Sequence, residues 1–152
     1  MAYTEIIPRN KNKYFYRVIS IRDGNKVNKE RVYLGVNLNE HILIEKEAKA
    51  DKLFLNKRIR RNIELIKPKI ISVLKRHKIK RASLFGSYTR GDQRRDSDID
   101  IIIEPKKRMG LEFVGVALDL EHALNKKVDL LTYNGINSHI RKYIMKDEVR
   151  IL

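Results

Sequence analysis

The residues that invite chemistry lie in "SLFGSYTRGDQRRDSDIDIIIE", Ser83 to Glu104, where a Gly-Ser pair ends one apolar run and two aspartates open the next. Asp98 and Asp100 stand two apart in Asp98-Ile99-Asp100-Ile101-Ile102-Ile103, so in a strand both carboxylates project from one face. Like charges side by side repel, and each is costly to desolvate, so a counter-charge must sit between them. Such a pair of oxygen ligands suits Mg²⁺, which usually bridges carboxylates to substrate phosphates. Gly86, at a strand-to-helix junction, lets the backbone approach a bulky anion, and the amides that follow, with the Ser87 hydroxyl, supply donors. A third aspartate, Asp129, sits inside the apolar run "KKVDLL". Singly, a Gly-Ser pair is a common turn and Asp129 an edge or capping residue. Together, the glycine, the serine and the three aspartates point to a phosphate-and-metal site.

Strands and helices must hold these groups. "IKRASLF" reads as a strand, "GSYTRG" as a turn into a short helix, "DIDIIIE" as a second strand and "KKVDLLTY" as a third. Between them "GLEFVGVALDLEHALN" is an amphipathic helix with Leu111, Val114 and Leu118 on one side and Leu120 and Leu124 nearby. "INSHIRKYIMKDE" closes the chain as a helix with Ile136, Ile140 and Ile144 on a face. Strands interleaved with helices give an α/β (α+β) domain, a small mixed sheet with helices packed on it, over residues 58–152. Residues 1–57 read differently. "KYFYRVISI" and "ERVYLGV" flank an Asp23-Gly24 turn as a hairpin, and Asn39 is an N-cap for "EHILIEKEAKADKLFLNK". A second helical stretch carries Ile59, Ile63, Ile66, Ile70 and Leu74 on one stripe, and Pro68 is expected to kink or break it, leaving a last helix near Lys67 to His77.

The 152 residues suffice for one ordinary domain, or a small domain with an appendage, without disulfides, and there is no cysteine. No apolar run approaches the roughly 18 residues of a membrane span, and the first residues lack the apolar segment of a signal peptide. A cytoplasmic protein is the expectation. The formal charge is +15, from 34 basic against 19 acidic residues. Lys57 to Arg81 alone holds eleven basic residues against Glu64, so this block is either a solvated helix face or a surface for a phosphate-rich or acidic partner, whether nucleic acid, a nucleotide's phosphates or an acidic protein. Tyr14, Tyr16 and Tyr33, with nearby Lys and Arg, could stack bases, but packing within the hairpin explains them better. His41, His77, His122 and His139 are scattered, with no zinc-like spacing.

Gly86-Ser87, ten residues, then Asp98-x-Asp100 resembles the signature of the DNA polymerase-β-like nucleotidyltransferases. More closely, "LFGSYTRGDQRRDSDIDIIIE" with "KKVDLLT" resembles the minimal nucleotidyltransferases, the MNT antitoxins that pair with HEPN toxins, over about residues 60 to 152. The resemblance implies a Mg²⁺-dependent enzyme moving AMP from ATP to a hydroxyl, in the toxin pairing a tyrosine hydroxyl. It implies two Mg²⁺ ions, both bound by Asp98 and Asp100, with Asp129 joining the one nearer the attacking hydroxyl and helping to remove its proton. Gly86 and Ser87 would hold the terminal phosphates, and Arg90, Arg94 and Arg95 in the connecting loop could touch them. Oligomers with the toxin or with further copies are compatible with that role. Transfer to RNA or a small molecule, or an antitoxin or nucleic-acid-binding module acting by contact alone, are the alternatives. The hairpin-plus-helix of residues 1–57 departs from the minimal family. It is similar to N-terminal modules fused to other prokaryotic proteins, including some Fic-domain proteins.

Overall fold

The computed structural model describes residues 1–105 and 109–152, with the side chain of Asp23 left out. Its contacts divide the chain into two units, Met1–Lys57 and Arg58–Leu152.

In the first unit, β1 (Ala2–Arg9), β2 (Asn12–Asp23) and β3 (Lys26–Val36) form an antiparallel sheet in that order. The expected hairpin is β2–β3. Its turn is Gly24-Asn25 rather than Asp23-Gly24, because Asp23 still pairs with Lys26. Strand β1 is an addition to the sequence reading: its Pro8 weakens the strand signal, yet proline is tolerated on an edge strand such as this one. Asn10 (φ 48°) and Lys11 (φ 65°) close the β1–β2 loop, both left-handed as a tight two-residue turn requires. One face of the sheet packs Phe15 and Leu34 against Ala50 of helix α1 (Glu40–Arg76). Arg17 on that face donates to both carboxylate oxygens of Asp51, at 2.8 and 2.7 Å, which satisfies a cation that packing has largely covered.

Asn39 caps α1 as expected, accepting from the Ile42 amide. The helix does not break at Pro68: all 37 residues are helical. Proline removes one amide and frees the carbonyl four residues earlier. Pro68 is exposed, so water can satisfy that carbonyl, while Ile63, Ile70, Val73 and Leu74 on the opposite side are buried. Burial of that stripe outweighs the lost bond.

The second unit is built on β4 (Arg81–Phe85), β5 (Ile99–Glu104), β6 (Val128–Thr132) and the short β7 (Val149–Arg150), ordered β6-β5-β4-β7. Strands β5 and β6 are parallel, joined through α3 (Leu111–Leu124), and the other pairings are antiparallel. Strand β5 is apolar on both faces because both are covered. Ile99, Ile101 and Ile103 join α1 and α3 residues in the main core, while Ile102 meets Phe85, Tyr133 and Ile136 on the other side. Helix α4 (Ser138–Lys146) lends Ile144 and Met145 to that second cluster.

Two helix faces differ from the sequence reading. On α3, Leu111, Val114 and Leu118 are solvent-exposed, Leu111 at 91%, and Val116, Leu120 and Leu124 face the core. The helix carries two apolar stripes separated by polar residues such as Glu112, Asp119 and Glu121, so periodicity offered two faces and the sheet took the other. On α4, Ile140 is exposed and Ile144 packs inward, as does Ile136 just before the helix.

Candidate active site

Strand β4 stops at Phe85 because Gly86 turns the chain sharply, at φ 71° and ψ −145°, a region open essentially to glycine alone. A β-carbon at Gly86 would lie 2.1 Å from Oδ2 of Asp100, so the missing side chain makes room for that carboxylate. One helical turn follows, α2 (Ser87–Arg90). Thr89 and Arg90 donate their amides to the Gly86 carbonyl, buried Tyr88 anchors the turn in the core, and Gly91 at φ 78° ends it. With only four residues, α2 offers an anion its local amides and hydroxyl rather than a sizeable dipole.

Sheet pairing then aligns the acidic groups. Asp100 is the partner of Phe85 on one side and of Asp129 on the other, so the Gly86 turn, Asp100 and Asp129 form one row across three strands. Asp98 lies one residue before β5, not inside it, and its side chain is exposed. The strand begins at Ile99, whose amide bonds to the Lys127 carbonyl. Asp100 is the most enclosed of the three. Burial, then the charges of Asp129 and Asp98, push its carboxyl above the usual carboxylate range, against the opposing pull of the Ser87 amide and Arg90. The row therefore carries excess negative charge at its centre.

Among the described residues, no group of three or more His, Cys, Asp or Glu is arranged to hold a metal by itself. A cation that takes part of its shell from water and substrate phosphate needs no such cage. The all-oxygen donors and the unbalanced charge at Asp100 fit Mg²⁺ on those terms.

Arg90 bonds Asp147 at 3.1 Å and Asp92 at 3.3 Å and lies within electrostatic reach of Asp100, at the rim of the row. Arg94 and Arg95 are exposed on the loop, which is fastened by the Arg94 amide on Ser97 Oγ and by Lys126 Nζ on the Arg95 carbonyl. Sequence reasoning missed the network behind the site. Buried Ser83 donates to Glu148 at 2.7 Å and lies 2.8 Å from the Tyr133 hydroxyl, which also donates to Glu148. The Arg81 guanidinium stacks 4.5 Å above the Tyr133 ring. A serine inside "RASLF" was its one sequence signal, and its partners lie 50 and 65 residues away. His77 bonds Asp119 of α3 at 2.9 Å, a structural tie.

Comparison with known proteins agrees with this architecture. The family model "Polymerase beta, Nucleotidyltransferase" matches residues 68–152. A Methanocaldococcus jannaschii chain bearing a provisional protein adenylyltransferase name is 45% identical over 92 residues, 60% of this chain and 99% of the relative. The protein adenylyltransferase MntA of Thermococcus cleftensis is 31% identical over 91 residues, 54% of this chain and 92% of the relative. Among solved structures, a toxin–antitoxin crystal structure with AMP-PNP superposes with a TM-score of 0.52 at 28% identity, covering 57% of this chain and 72% of that one. A protein described as a minimal nucleotidyltransferase gives 0.51 at 27% identity, covering 59% and 92%. The glycine turn, the strand-borne acids and a matched model spanning more than half the sequence lead to one assignment: the chain belongs to the polymerase beta nucleotidyltransferase family.

Proposed function

We propose that the protein transfers AMP from ATP to a tyrosine hydroxyl of a HEPN-type ribonuclease toxin and thereby acts as its antitoxin. The observation that carries the reading is the fit of Asp100 into the space left by Gly86, with Asp129 alongside in register. In this reading that row sets phosphate donors next to carboxylates, as nucleotidyl transfer requires. Relatives named protein adenylyltransferase and a similar toxin–antitoxin structure holding an ATP analogue support the choice of donor and partner.

In this reading the amides and hydroxyl at Gly86 and Ser87 take the terminal phosphates, with Arg90 at the rim. Asp98 and Asp100 would hold two Mg²⁺ ions, with Asp129 joining them for one, and the metal would supply electrostatic stabilisation of the charge that develops on the oxygens. The tyrosine oxygen bonds to the α-phosphorus, the bond to the β-phosphate oxygen breaks, and pyrophosphate leaves. Asp129 orients the hydroxyl and helps take its proton.

The test is intact-mass measurement of the HEPN partner after incubation with this protein, ATP and Mg²⁺. The expected result is an AMP adduct on a tyrosine; an unmodified partner rejects the proposal. If the Asp98→Ala, Asp100→Ala double variant still neutralises the toxin in cells, neutralisation works by contact rather than chemistry. The basic stretch Lys57–Arg81, with eleven cations along the end of α1 and the turn after it, motivates a nucleic-acid version of that contact reading. Salt-insensitive affinity, or none, removes it.

A further inference from the structure

Within the first unit, the sheet has one face on α1 and one left open among the described residues. Strand register places Tyr3, Val18 and Arg31 in one row of that open face, Glu5, Tyr16 and Tyr33 in the next, and Ile7, Tyr14 and Val36 in a third, with Val18 itself fully buried and the tyrosines partly exposed. A solvated antiparallel face ordinarily carries polar side chains. This one carries four tyrosines and several aliphatics, with Tyr33 54% and Tyr3 40% exposed. Three of the rings are contiguous. Tyr33 lies 5.3 Å from Tyr16 and 6.5 Å from Tyr14 between centroids, tilted by 50° and 34° rather than stacked face to face. Lys29 sits 5.9 Å above the Tyr3 ring, beside Arg31.

The charge is also one-sided. Residues 1–36 hold eight basic and three acidic side chains, whereas residues 40–57 hold four of each. The excess of this unit therefore rides on the sheet. Arg17 is turned to the helix and Arg31 pairs with Glu5 at 2.9 Å, which leaves Lys29, Arg22 and Arg9 on the open face. Aromatic rings joined to uncompensated cations match a ligand that is anionic along its length and offers flat faces. An apolar protein partner would not call for the cations, and a second copy of the chain would bring like charge against like.

We propose that this open face is a binding platform for single-stranded nucleic acid, with Tyr16 and Tyr33 stacking bases and Lys29 meeting the backbone phosphates. A duplex fits poorly, because its base faces are already stacked on one another. The platform shares no residue with the basic stretch Lys57–Arg81 or with the row of acids, and it gives residues 1–57 a role in bringing the protein to RNA or single-stranded DNA.

Fluorescence anisotropy on the full-length chain tests it, with labelled single-stranded RNA and DNA of about a dozen nucleotides and a duplex of equal length, between about 50 and 200 mM salt. The single strands are expected to bind more tightly than the duplex, and either sugar satisfies the proposal. Tyr33→Ala should weaken binding about tenfold, the usual scale for one lost stacking ring. Tyr33→Phe should keep it, which guards against a folding artefact. Lys29→Gln should lower the slope of log affinity against log salt by about 0.7, as for one lost phosphate contact. Lys67→Gln with Lys69→Gln, on the basic helix, should change affinity less than twofold. No single-strand binding at low salt, equal binding of the duplex, or Tyr33→Ala binding like wild type would overturn the proposal. Concentration-dependent dimerisation abolished by Tyr33→Ala would also overturn it, by giving the face to a second copy.

Discussion

Replacing Gly86 with alanine attacks the closest approach in the site. The backbone at φ 71° and ψ −145° costs a non-glycine residue about 1–3 kcal/mol. The new β-carbon would begin 2.1 Å from Asp100 Oδ2, against the 3.4 Å at which ordinary contact starts, so the carboxylate must retreat by about 1.3 Å. A side-chain end can swing away, so the stability loss is mostly backbone strain. At about 2–4 °C per kcal/mol for a chain of this size, Gly86→Ala should melt roughly 2–12 °C below wild type. The functional loss is geometric: a displacement near 1 Å in a reacting array costs about 10²-fold. Gly115→Ala is the control. Nothing lies within 4 Å of its added β-carbon, so relief of a helical glycine should stabilise by about 1 kcal/mol. Thermal melts beside a nucleotide-transfer assay make the comparison. Wild-type transfer and melting in Gly86→Ala would refute the reasoning that this glycine exists to admit Asp100.

The other predictions concern the acids and the network behind them. Asp129→Asn should leave ATP binding largely intact while lowering transfer by about 10²–10⁴-fold, whereas Asp98→Asn should weaken both, as read by nucleotide titration beside a transfer assay. Asp100 has a folded-state pKa raised by burial and its neighbours, so its contribution to stability is greatest below the unfolded value and is lost as pH rises through the folded one. Once ionised its charge is therefore a burden, and metal-free Asp100→Asn should melt a few degrees above wild type at a pH where Asp100 is ionised; a lower melting point there would contradict this. Tyr133→Phe deletes the hydroxyl that Ser83 and Glu148 share and should cost roughly 1–3 kcal/mol in denaturant titration, with transfer largely retained.

Much of the second unit could be read from local pattern. The apolar runs around Ser83, Ile101 and Leu130 are strands because each is short, apolar and bounded by turn residues. The glycine and the aspartates stand out because each is the wrong residue for an apolar run unless something binds there. What local pattern could not supply was choice among faces. Leu111, Val114 and Leu118 form as good a stripe as the one α3 buries, and only the sheet decides between them. Pro68 marks a break by local rule, overridden by burial of the α1 stripe on the opposite side. The Ser83–Tyr133–Glu148 network joins residues far apart in sequence, so no window of adjacent residues contains it. Strand β1 went unseen because its pattern is weak until β2 offers an edge to pair with.

The most direct measurement follows label from ATP onto the HEPN partner, using ATP labelled in turn at the α- and the γ-phosphate, with wild type and Asp100→Asn compared at saturating Mg²⁺. Transfer of AMP places the α-label on a partner tyrosine, leaves the γ-label in released pyrophosphate, and is lost in Asp100→Asn. A γ-label on the partner, no label from either nucleotide, or undiminished transfer by Asp100→Asn would contradict the assignment of nucleotidyl transfer to the row of Gly86, Asp100 and Asp129.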